Sequence, residues 1–99
     1  MPVNRDELLE SLRNLGPRHA QQLASVGINT IEKFRAAGSV VAYVKLLRGC
    51  SNVGPNMLYA LEGALTNTHW EEVAREHGPR LQALLEEYEK ANPPPSAPT

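Results

Sequence analysis

The sequence has a single cysteine, Cys50, so the chain cannot close a disulfide on itself or assemble a thiolate zinc site. Its unbroken apolar runs, 40–44 and 57–61, reach only five residues each, whereas a membrane-spanning helix needs ~20. The opening MPVNRDELLE has no apolar h-region, so a secretory signal is not expected. An excess of one charge is missing too: ten Lys and Arg face eleven Asp and Glu, a formal net charge of −1. That balance excludes a basic coat over the whole molecule, the usual footprint of proteins that grip nucleic acid or anionic lipid strongly. Ninety-nine residues leave room for one domain. The expectation is a small cytoplasmic protein with no membrane partner.

What is present is ordinary globular material, 41% hydrophobic and 21% charged. The charge is polarised along the chain. Residues 1–50 carry seven basic and four acidic side chains, and residues 51–99 carry three and seven, so the halves stand at +3 and −4. Such a division suits one anion-facing side and one solvated side.

Turn and cap residues recur at helical spacing, and no paired alternating strands are visible. Asn4 is expected to cap a first helix carrying Leu8, Leu9 and Leu12, with Asp6 and Glu7 in its first turn. Gly16-Pro17 ends that helix and starts a second, lined by Ala20, Leu23, Ala24 and Val26 and stopped by Gly27. Thr30 caps a third with Ile31 and Phe34 inward, stopped at Gly38, and Ser39 caps a fourth that runs to Gly49. Pro55 opens a fifth whose body, MLYALEGAL, is apolar nearly all round and therefore belongs in the centre of the fold. Within it Gly63 implies close approach by a neighbouring backbone. Glu62 requires a cation, with Arg48 or Arg13 the candidates. Thr68 to Glu71 matches a capping box. Gly78-Pro79 is expected to stop one helix and start the last, with Leu81, Leu84, Leu85 and Tyr88 on one face. The fold class expected is all-α: a compact bundle of six to seven short helices over 1–91. A disordered Pro-rich tail follows over 92–99.

The stretch LRNLGPRHAQQL at 12–23, followed by Val26-Gly27-Ile28, resembles a helix-hairpin-helix motif, with Leu15 plugging the gap between two helices. The helix-start amides after Gly16 have no partner inside the helix and suit a phosphate oxygen, and Arg18 adds a full charge there. Candidate nucleic-acid contacts are therefore Arg13, Asn14, Gly16, Arg18 and His19, all within the hairpin at 13–20. Hairpins of this kind often carry glycine where this chain has Asn14. Asparagine tolerates a left-handed turn, but its side chain would crowd a phosphate.

The order of this hairpin, then GINTIEKF, then the segment NMLYALEGAL at 56–65, then His69-Trp70, is similar to the C-terminal domain of TfoX (Sxy) proteins over roughly residues 8–90. The resemblance implies a helical domain related to helix-hairpin-helix DNA-binding folds. In bacterial competence regulators it follows a separate N-terminal domain, and the whole protein assists transcription activation; the resemblance here covers only the C-terminal domain.

Other chemistry is poorly supported. His69 and His77 are eight residues apart with no third ligand, a weak metal pattern. Cys50 has no neighbouring base beyond Arg48. Trp70 reads as a core anchor and Tyr59 as a core ring whose hydroxyl finds a partner. A helix-hairpin-helix glycosylase would need an acid soon after the hairpin, and 17–31 contains no Asp or Glu. The reading is a non-catalytic regulatory module without cofactor, metal or small-molecule substrate. Its expected partner is the backbone of duplex DNA, bound weakly and without sequence preference. The alternative is a protein partner, with the hairpin serving only as scaffold.

Overall fold

The computed structural model describes residues 9–50 and 53–92. Four α-helices follow a short 3-10 turn, Leu9–Ser11: α1 Pro17–Ser25, α2 Ile31–Gly49, α3 Met57–Thr66 and α4 Trp70–Ala91. No strand occurs among the described residues. The fold is all-α, as the punctuation implied, but with fewer and longer helices than the six to seven expected. Asn4, Asp6, Glu7, Leu8 and the tail beyond Asn92 lie outside the described residues.

Cap chemistry accounts for several ends. Pro17 is the first residue of α1, where its missing amide costs nothing. At the other end Ile28 N–H reaches the Leu23 carbonyl at 2.8 Å and Gly27 N–H reaches that of Ala24 at 3.1 Å. This double closure needs a left-handed residue, supplied by Gly27 at φ 90°. It also seats Ile28 beside Leu23, both buried. Thr30 Oγ1 accepts from Lys33 N–H at 3.0 Å and starts α2. Phe34 is fully buried and Ile31 partly so, as their spacing required.

Of two expected breaks, the one at Gly38 is present as a kink within α2 and the one at Gly78-Pro79 is bridged. Gly38 does leave the helix, at φ 83° and ψ 168°, but α2 resumes at once, so the break is a kink between 31–37 and 39–49. Ser39 is therefore not an exposed cap: it is buried, and its hydroxyl donates to Glu62 Oε1 at 2.8 Å. Gly78-Pro79 does not break α4 at all. A proline inside a helix removes one ladder bond and costs ~3 kcal/mol. Here Val73 before it and Leu81 and Leu85 after it all enter the same core, and that shared burial holds the helix continuous. Gly78 is buried against the ring of Tyr59.

Helix α3 lies between α2 and α4 and buries Met57, Leu58, Leu61, Gly63 and Ala64, the central position its composition predicted. It begins at Met57 rather than at Pro55, which lies in the preceding turn. Three side chains depart from expectation. Leu84 faces outward at 40% exposure, since Leu81 and Leu85 already fill that face. Ala24 is exposed. Trp70 is only half-buried and stands outside the core cluster, so it does not anchor the interior.

Candidate nucleic-acid interface

The chain reaches α1 through two tight backbone closures, Leu12 N–H to the Leu9 carbonyl and Leu15 N–H to the Leu12 carbonyl, both at 3.1 Å. Leu9 and Leu15 are buried. The first limb of the motif, within the described residues, is the three-residue 3-10 turn and not an α-helix. A full two-helix hairpin is therefore not seen there.

Asn14 sits inside the second of these closures at φ 70°, the left-handed conformation that asparagine tolerates. Its side chain turns toward the α3–α4 junction. Nδ2 donates to the Thr68 carbonyl at 2.8 Å and approaches that of Ala60 at 3.4 Å, while Oδ1 accepts from Trp70 N–H at 3.3 Å. One amide thus satisfies backbone groups on both sides of the α3–α4 turn. The turn itself is closed by Thr68 N–H on the Gly63 carbonyl at 2.8 Å, with Asn67 left-handed at φ 55°. Gly63 is the close approach its mid-helix position implied: a methyl group there would overlap the Thr68 carbonyl oxygen and Asn14 Nδ2. Arg13 Nη1 lies 3.4 Å from the Asn67 carbonyl, so its guanidinium borders the same turn.

Gly16 is extended and precedes α1. Its amide donates to His19 Nδ1 at 3.2 Å, so His19 takes the reach-back role that Glu or Gln plays in a capping box. The first intrahelical bond is Ala20 N–H to the Gly16 carbonyl, which leaves the amides of Arg18 and His19 ahead of it. Arg18 is exposed and makes no hydrogen bond or ion pair with the described residues. The structure therefore ties Arg13 and Asn14 to the α3–α4 turn, while Arg18 and His19 stand on the first turn of α1.

At the start of α4 the capping residue is His69 and not Thr68: His69 Nδ1 accepts from Glu71 N–H at 3.2 Å. Thr68 instead uses its carbonyl on Asn14 and its hydroxyl within the turn. The imidazole stacks on the Trp70 indole, with centroids 5.9 Å apart and planes inclined by 28°. Sequence reasoning passed over this pair because a tryptophan near a capping box reads first as core.

The remaining polar groups are structural. Glu62 pairs with Arg80, Oε2 to Nη2 at 3.5 Å, and with Ser39; Arg48 and Arg13 are elsewhere. Arg48 instead donates to the Asn92 carbonyl. The i to i+18 separation of Glu62 and Arg80 could not be read without knowing that α3 and α4 pack together. Tyr59 accepts from Gln82 Nε2 at 3.1 Å, the hydroxyl partner expected of it. Burial pushes the Tyr43 phenol above its ordinary value, and the nearby Glu89 carboxylate and Tyr59 phenol add to the shift. Among the described residues no three metal-ligating side chains gather, and no helix is long and apolar enough to cross a membrane.

Compared with known proteins, the chain matches the TfoX C-terminal domain model over residues 5–86. It belongs to that family. Neither a curated protein nor a solved structure matches it.

Proposed function

We propose that this TfoX C-terminal domain is a non-catalytic, competence-related regulatory module that holds the backbone of duplex DNA weakly and without sequence preference. The observation that supports it is Arg18: an exposed guanidinium without a partner among the described residues, on the first turn of α1 and on the basic half of the chain. The amides of Arg18 and His19 lie on the same turn of α1, and Arg13 precedes them in the 13–20 segment. Contacts of this kind meet phosphates and read no bases.

Each neutralised phosphate contributes ~0.9 to the slope of log affinity against log salt, and one or two are expected here. Dissociation constants should then lie no tighter than ~10⁻⁴–10⁻⁶ M. The test is an NMR titration with a short duplex at low salt. Arg18→Ala should weaken binding uniformly across sequences and reduce the slope by about one.

A second reading, a protein-interaction domain with the 13–20 segment as scaffold, draws on the inward bonds of Asn14 and His19. It takes first place if duplex DNA leaves the amides of 14–20 unshifted.

A further inference from the structure

Tryptophan can bury ~150–250 Å² when it enters a core, more than almost any other side chain. Val73, one turn further along α4, is 1% exposed, whereas Trp70 remains half-buried outside the core cluster. What it packs on is His69, itself exposed on 47% of its side chain. The backbone amide of Trp70 donates to Asn14 Oδ1, which fixes where the residue sits, and the imidazole is tied by its capping bond to Glu71 N–H. An imidazole tied in this way has less side-chain freedom left to lose on binding.

We infer that the His69–Trp70 stack, with Arg13 at the adjoining Asn67 turn, is a stacking surface for an unpaired base of single-stranded nucleic acid. The inference rests on the nucleic-acid reading above and extends it to a different substrate. An indole braced by an imidazole offers a face to any base, and Arg13 supplies the charge for the neighbouring phosphate. Glu71 and Glu72, exposed on the first turn of α4, repel phosphate, so the strand backbone runs on the Arg13 side of the stack. A duplex keeps its bases stacked on one another and cannot present a face to this platform except at its ends.

Trp70 is the only tryptophan in the chain, so fluorescence excited at the red edge of indole absorption, beyond that of the three tyrosines, reports on this surface. The full chain is titrated at low salt with a short oligothymidylate and, separately, with a duplex whose ends are closed by loops. Saturable quenching by the single strand and none by the duplex is the expected result. Affinity for a labelled oligothymidylate, read by anisotropy, should fall about tenfold in Trp70→Leu and be largely restored in Trp70→Phe. Arg13→Ala, which keeps the indole, should weaken binding and reduce the salt slope by ~0.7, the single-strand value. Unchanged affinity in Trp70→Leu, or no quenching at saturating single strand, overturns the inference. Shifts of the 14–20 amides by duplex, without single-strand quenching, overturn it while leaving the duplex reading in place. Binding of neither nucleic acid overturns both.

Discussion

Helices α1 and α3 are nearly equal in length, nine and ten residues, and are fixed in the fold by different forces. Helix α3 is apolar on almost every side and buries five residues between α2 and α4. Helix α1 buries only Leu23 and is secured mainly at its ends, by the Gly27–Ile28 closure behind it and the Leu15–Asn14 segment ahead of it. One helix is placed by area, the other by anchors. The difference decides what each can do: a helix packed between two others has little free surface, whereas one fixed at its ends keeps its outer residues, Arg18 among them, available to a partner.

The comparison breaks most visibly if α3 can be hollowed without loss. Leu61 is fully buried, so Leu61→Ala should cost ~2–5 kcal/mol, a large share of the stability of a domain this size. The exposed Glu87, replaced by alanine, should change stability by no more than ~0.5 kcal/mol. Chemical denaturation of the two variants decides it, and equal midpoints would remove α3 from the centre.

The anchor side is tested next, at Asn14 and Gly63. Asn14→Gly keeps the left-handed turn but deletes the bonds to Thr68 and Trp70, and should cost ~1–3 kcal/mol. Gly63→Ala would normally strengthen a helix by ~1 kcal/mol. Here the added methyl meets the Thr68 carbonyl, and a net loss of ~1–3 kcal/mol is expected instead. Thermal melts suffice, and a stabilised Gly63→Ala would mean that the turn does not lie against α3.

The smallest effect concerns Tyr43, buried on α2 near Glu89 of α4 and Tyr59 of α3. Its pKa in the folded protein is raised above the unfolded value of ~10, so the folded state holds the proton longer. The stability tied to this group is complete below pH ~10 and is lost as pH rises through the raised value. Tyr43→Phe should flatten that alkaline decline, measured by denaturation at a series of pH values; an unaltered decline would assign it to other groups.

Local chemistry was enough to place Pro17, Gly27 and Thr30 at helix ends and Phe34, Leu23 and the α3 residues inside, because caps and apolar spacing act over one or two turns. The same reasoning split α4 at Gly78-Pro79 and put Trp70 in the core. Both errors share a cause: the outcome depends on what the neighbouring helix supplies. A proline breaks a helix unless both flanks are needed in one core, and how far a tryptophan is buried depends on the elements that pack beside it.

The candidate site divides along the same line. Arg18 at an exposed helix start is legible from Gly16-Pro17 alone. The attachment of Asn14 to residues 68 and 70 and the pairing of Glu62 with Arg80 required the packed structure. The sequence by itself determined an all-α chain, its central apolar helix and most of its caps, since backbone hydrogen bonding and side-chain period are local properties. Only the tertiary structure decided which polar groups meet and which aromatic stays outside, since those outcomes depend on contacts between residues tens of positions apart, which no local pattern encodes.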